Sequence, residues 1–112
     1  MDKALVMTEF GAEGDPVWAD REPEFKGGYA FQAAHAERTL ALVDRLPFMS
    51  GAIYWTMREF EIFPGWTGGA PKRPGPTRNT RHHKGLLTYD GTPKPAWDVA
   101  RRHFQATPLY TP

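Results

Sequence analysis

Two short apolar strands separated by one long helical stretch constrain this chain more than any other feature. Ala4-Leu5-Val6-Met7 is an unbroken apolar run that leads into Thr8-Glu9-Phe10-Gly11. Such a run reads as a strand buried on both faces, as in parallel sheets. Further on, Tyr29, Ala33, Ala36, Leu40 and Val43 recur at steps of four and three, which places them on the core face of one helix. The spacing predicts a helix from about Phe25 or Gly28 to Arg45. Pro47 stops it, because the residue before a proline is pushed out of the α region. Gly51-Ala52-Ile53-Tyr54-Trp55-Thr56 is the second strand, rich in β-branched and aromatic residues. Strand, helix, strand is a βαβ unit, which joins two parallel strands by a right-handed crossover. The fold class is therefore α/β.

The remaining segments fit around that unit. Ala12-Glu13-Gly14-Asp15-Pro16 opens a loop that runs on to Pro23. From Pro64 to Gly85 the chain is rich in proline and glycine and reads as a long loop, a kind that is uncommon in a compact domain and is often functional. Leu86-Leu87-Thr88-Tyr89 reads as a brief extended piece before a turn at Asp90-Gly91. Pro95 suits the first turn of a final helix, where its missing N–H costs nothing. Trp97, Ala100 and Phe104 mark the apolar face of that helix, and Pro108 ends it.

With 112 residues, 40% of them hydrophobic, the chain fits one ordinary domain with a core of its own. The formal net charge of +1 gives no global pull toward nucleic acid or an anionic membrane. Acids crowd the start (Asp2, Glu9, Glu13, Asp15, Asp20, Glu22, Glu24), whereas Lys72, Arg73, Arg78, Arg81 and Lys84 make the later loop basic. A solvated loop explains that cluster better than a nucleic-acid site, since no recognition motif accompanies it. The absence of cysteine excludes disulfides, thiolate catalysis and cysteine metal sites. No apolar run approaches the roughly 18 residues of a membrane span, and no signal-peptide pattern opens the chain. The expectation is a soluble cytoplasmic protein without a cofactor.

Glu9 is the first candidate site residue, since α/β barrels keep their chemistry at the C-terminal ends of strands. Spacing alone leaves it open whether Glu9 is catalytic or a solvated carboxylate. His82-His83 lacks the helical spacing of a metal pair, and adjacent side chains on an extended segment point apart, so no metal site is expected.

Taken in order, Thr8-Glu9-Phe10-Gly11, Gly51-Ala52-Ile53-Tyr54-Trp55-Thr56-Met57-Arg58-Glu59-Phe60, Lys84-Gly85-Leu86-Leu87-Thr88 and Pro93-Lys94-Pro95-Ala96-Trp97 resemble the end of the catalytic domain of glycoside hydrolase family 2, which includes β-glucuronidases and β-galactosidases. The resemblance covers nearly the whole chain. It implies a partial (β/α)8 TIM barrel, the last two βα units with strands 7 and 8 and their helices. Residues 1–112 would then be a C-terminal fragment of that catalytic domain, and Met1, three residues before the first strand, suits a reading frame broken from a larger gene.

By the same resemblance Glu9 is the nucleophile of a retaining β-glycosidase, Trp55 is an apolar wall under the sugar ring, and the bond after Trp55 is cis. Lys84 falls where β-glucuronidases carry an Asn-x-Lys motif that contacts the substrate carboxylate, with His82 in the place of the Asn. A lysine there suits a uronate, while the missing amide leaves a galactoside or another neutral β-glycoside equally open. Retention needs a second carboxyl group as acid/base. In the family this is a Glu preceded by Asn, and the only Asn here, Asn79, is followed by Thr80. Glu13, Glu59 and Glu61 match no such motif. The expectation is a chain that carries the nucleophile, takes a β-glycoside or oligosaccharide, and is inactive alone. Two βα units cannot close a barrel, so pairing with the rest of a barrel or self-association follows. The alternative is a noncatalytic carbohydrate-binding or protein-interaction module.

Overall fold

The computed structural model describes residues 3–64, 66 and 80–108. Strand β1 (Leu5–Phe10) is followed by a 3-10 turn at Pro16–Trp18 and by helix α1 (Tyr29–Arg45). Strand β2 (Met49–Tyr54) follows, then two short strands, β3 (Phe60–Glu61) and β4 (Arg81–His82), and helix α2 (Pro95–Ala106). Strands β1 and β2 pair in parallel across α1, as the βαβ pattern requires, and β3 pairs with β4 in antiparallel fashion. The described residues thus form a small mixed α/β unit of two helices and a few strands.

Both helices lie where periodicity and proline put them. Helix α1 begins after Gly28, whose carbonyl accepts from Gln32 N at 3.1 Å, and ends where Leu46 turns extended ahead of Pro47. Helix α2 has Pro95 in its first turn, and Thr107 ends it just before Pro108. Strand β2 sits two residues earlier than expected. Trp55 lies just beyond it, although its N–H still donates to Phe10 O at 2.7 Å. The long loop expected from Pro64 to Gly85 contains β4, and its residues 65 and 67–79, with Lys72, Arg73 and Arg78, lie outside the described residues.

The core joins the helix-facing side of the sheet to the helices: Phe10, Leu40, Leu86, Ala96 and Ala100 are buried, with Met7, Ala33, Ala52, Tyr54 and Trp97 packed around them. Phe10 meets the Tyr54 ring edge-on at 5.1 Å. The strands are not buried on both faces as the apolar run predicted, for Leu5 and Val6 are 45% and 44% exposed. The reason is that helices cover one face of a sheet in which β1 and β2 have only each other as neighbours among the described residues. Phe104 is also more exposed than its place on the apolar face of α2 implied, at 49%. It lines an open apolar groove of about 610 Å³ along β2 and α2, together with Ile53, Tyr54, Met57 and Trp97. No helix among the described residues is long and apolar enough to cross a membrane.

Polar ties join α1 to α2 at the surface. His103 Nδ1 lies 2.9 Å from Asp44 Oδ2 and its Nε2 lies 3.0 Å from Glu37 Oε1, while Arg102 also reaches Glu37 at 3.0 Å. The hydrogen bond to Asp44 foremost, then Glu37, raises the His103 pKa above its ordinary 6.5. Its contribution to stability is complete below that ordinary value and is lost as pH rises through the raised folded value. Glu37 works in the opposite sense: its pKa is lowered, chiefly by His103, so its share is present above its ordinary 4.5 and fades as pH falls through the lowered value. Urea melts of the wild type between about pH 6 and pH 8 should show stability falling with pH. His103→Gln should flatten that slope, and an unchanged slope would remove His103 as its source.

Candidate functional site

Glu9 stands at the C-terminal end of β1, and a register irregularity aims it away from the core. Met7 pairs with Ala52 and Phe10 with Tyr54, so β1 takes three steps where β2 takes two. Strict alternation would put Met7 and Phe10 on opposite faces, yet both pack into the helix-side core. The extra residue leaves Thr8 and Glu9 exposed together, the re-aiming that bulges often produce beside functional sites.

Gly11 then turns the chain. Its φ is +148°, and a Cβ there would run into the carbonyl oxygen of Trp55. Gly11→Ala is therefore expected to cost about 1–3 kcal/mol from backbone strain alone and to push the Trp55 segment away from β1. Chemical denaturation measures the first effect, and a melt unchanged from wild type would contradict it.

Trp55 and Lys84 are tied to this strand end through the backbone. Trp55 N donates to Phe10 O, the carbonyl immediately after Glu9, while Thr56 N donates to Lys84 O at 3.4 Å and Thr56 O accepts from Leu86 N at 3.0 Å. The segments carrying Glu9, Trp55 and Lys84 thus lie side by side. The Trp55-Thr56 bond is cis, as the family resemblance implied. The indole is 42% exposed and is supported from behind by Phe60, edge-on at 5.9 Å, and by His82, edge-on at 6.4 Å. His82 itself stacks on Phe60 at 4.5 Å, touches Trp66, and accepts from Lys84 N through Nδ1 at 3.3 Å.

Beneath these segments lies a buried polar cluster that the sequence reading missed. Lys94 Nζ makes an ion pair with Glu59 Oε1 at 2.5 Å and donates to Gly14 O at 2.7 Å and His83 O at 3.0 Å. His83 Nδ1 lies 2.9 Å from Glu59 Oε1, and its Nε2 lies 3.6 Å from Asp15 Oδ2. The other Glu59 oxygen accepts from Tyr89 N at 3.1 Å. Burial alone would raise the Glu59 pKa, but His83 and Lys94 outweigh it and hold the carboxyl below its ordinary value. A general acid needs the opposite shift, so Glu59 is ill suited to act as one. His82 and His83 do point apart, one into the aromatic stack and the other to carboxylates. The described residues contain no group of three or more His, Asp or Glu side chains that could hold a metal ion.

Gln32 was missed too, although a signal for it existed. It falls on the same stripe as Ala36 and Leu40, four residues apart, and is fully buried. An amide on a core stripe must find internal partners. Its Nε2 lies 3.2 Å from Ala12 O, 3.3 Å from Lys84 O and 3.1 Å from Gly85 O.

No family model and no curated protein matches the chain. Solved structures do. A GH2 β-galacturonidase from Eisenbergiella tayi, bound to galacturonate, superposes with a TM-score of 0.75 at 22% identity, over 95% of this chain and 18% of that one. A β-glucuronidase from Bifidobacterium dentium, complexed with coumarin-3-O-glucuronide, gives 0.75 at 25% identity, over 96% and 16%. The β-D-glucuronidase of Dictyoglomus thermophilum gives 0.71 at 22% identity, over 96% and 17%. The chain thus has the fold of a segment of these glycoside hydrolases and spans less than a fifth of their length. The resemblance to glycoside hydrolase family 2 is present in the fold as well as in the sequence.

Proposed function

We propose that residues 1–112 are the C-terminal part of a family 2 catalytic domain, the last two βα units of a (β/α)8 barrel, and that they carry half of a retaining β-glycosidase active site. The observation that carries this reading is the backbone linkage of the Glu9, Trp55 and Lys84 segments in a fold shared with β-glucuronidases and a β-galacturonidase. Glu9 is the nucleophile. Its carboxylate attacks the anomeric carbon as the glycosidic bond breaks, and water later cleaves the glycosyl ester with inversion a second time, so configuration is retained. Trp55 offers an aromatic face to the C–H surface of the sugar. Lys84 supplies the positive charge for a uronate carboxylate, with a neutral β-glycoside as the other candidate substrate.

A retaining site needs a second carboxyl group roughly 5 to 5.5 Å from the nucleophile, to protonate the leaving group and then activate water. Glu59 is held in its ion cluster, and Glu61 sits on β3 beside its pairing partner Arg81. Glu13, like the other two, lacks the preceding Asn of the family's acid/base, so in this reading that group comes from elsewhere and this chain alone does not turn over substrate. Exposed Leu5, Val6, Ile53 and Met57, with the groove along β2 and α2, support pairing with the rest of a barrel.

Hydrolysis of aryl β-glucuronides and β-galactosides by the purified chain, with and without Glu9→Ala, tests the proposal. No turnover is expected from either. Robust turnover lost with Glu9→Ala would refute the need for a second carboxyl group from outside, and turnover that survives the substitution would take the role from Glu9.

The exposed Trp55 face also favours a second reading, a noncatalytic carbohydrate-binding module. Sugar binding by a well-behaved monomer in light scattering would support it over a barrel fragment.

A further inference from the structure

We propose that Gln32 is a positioning residue that sets the spacing between the loop after Glu9 and the segment carrying Lys84. This rests on the reading that those two segments face the substrate. Gln32 is anchored in α1, away from the exposed sheet face, and its side chain reaches both segments at once: Nε2 serves Ala12 O on one side and the successive carbonyls of Lys84 and Gly85 on the other. Lys84 O also accepts from Thr56 N. Through that carbonyl the amide is joined to the peptide that follows Trp55. One buried side chain thus meets the backbone on both sides of the candidate sugar site.

The joint has no slack. Three carbonyl oxygens around one nitrogen fix the orientation of the amide, since a flip would bring its own oxygen against them. A Cβ at Gly14 would lie 2.7 Å from Gln32 Cδ, so the loop closes on the amide only because residue 14 is glycine. Gly14 N also donates to His83 O at 2.9 Å, so that the two segments touch directly beside the amide. A fully buried amide on a stripe otherwise filled by Ala36 and Leu40 costs free energy unless its bonds are made. Here the bonds of Nε2 run to these two segments, while Oε1 is buried without a hydrogen-bond partner among the described residues, so what ties the amide in place is its nitrogen.

Hydrogen exchange of the full chain, followed by NMR without any sugar, tests the assignment. Its outcome therefore does not depend on catalysis or on sugar binding. In Gln32→Met, which keeps the length of the side chain but none of its donors, exchange at Gly14 N–H and Leu86 N–H should quicken about tenfold or more, while amides in the middle of α2 keep their protection. Gln32→Glu adds a switch: a protonated carboxyl group retains one O–H donor, whereas the ionised form faces carbonyl oxygens and is repelled. Once intrinsic rates are corrected, that variant should protect Gly14 and Leu86 well at acid pH and poorly at neutral pH. Rates within about twofold of wild type in both variants would overturn the proposal. A uniform loss of protection that includes α2, or outright unfolding, would overturn it as well, because it would make Gln32 a general core residue.

Discussion

Replacing Lys94 with methionine is expected to lower the stability of the chain by about 3–5 kcal/mol, the cost typical of breaking a buried ion pair by removing one partner. Lys94 is 1% exposed and its ammonium touches Glu59 and the carbonyls of Gly14 and His83. Methionine fills much of the same volume, so the loss is one of charge and donors. Glu59 would be left buried with His83 and the Tyr89 amide as its remaining partners, and two carbonyls would lose a donor. Against a total stability that for domains is roughly 5–15 kcal/mol, such a loss is severe. Urea melts measure it. The double variant Lys94→Met with Glu59→Gln should be less destabilised than the two single losses summed, because the second change removes the stranded charge. A loss below about 1 kcal/mol for Lys94→Met would place the pair among weak surface ion pairs and contradict the burial on which the estimate rests.

The second large effect concerns chemistry. If residues 3–108 are grafted in place of the matching segment of a β-glucuronidase, the host enzyme supplies the other barrel strands and a second carboxyl group. Glu9→Gln in that graft should lower kcat by on the order of 10⁴-fold or more, the scale seen when a group acting in covalent catalysis is removed. The substitution keeps the size of an exposed side chain and leaves the core contacts of Phe10 and Met7 intact. The melting temperature should therefore be unchanged, which separates lost chemistry from lost folding. A Glu9→Gln graft that keeps more than about a tenth of its activity would assign the nucleophile elsewhere.

Much of the fold was legible because it rests on local rules. Helices α1 and α2 follow from apolar spacing bounded by Gly28 and Pro47 in one case and by Pro95 and Pro108 in the other. The parallel pairing of β1 with β2 follows from the helix between them. The irregularity between Met7 and Phe10 was not legible, because it depends on both side chains finding the same core. β4 was hidden in a stretch whose prolines and glycines read only as loop.

The candidate site divides in the same way. Glu9, Trp55 and Lys84 were marked by short motifs, and the structure brings their backbone segments together. Asp15, Glu59, His83 and Lys94 are polar residue types that sequence reasoning assigns to water, and only the fold reveals that they satisfy one another in the interior. Gln32 stood on a stripe that was already recognised as core, where a polar residue was itself the signal.

The central claim is that Glu9 is the nucleophile of a site completed by other strands. The most direct measurement is to treat the grafted enzyme with a glycosyl fluoride that has fluorine in place of the hydroxyl next to the anomeric carbon, in the glucuronyl and galactosyl forms. Fluoride departs without an acid, while the added fluorine slows hydrolysis of the glycosyl ester, so the covalent intermediate accumulates. Peptide mapping should find the sugar on Glu9. Inactivation with the label on any other residue would contradict the account.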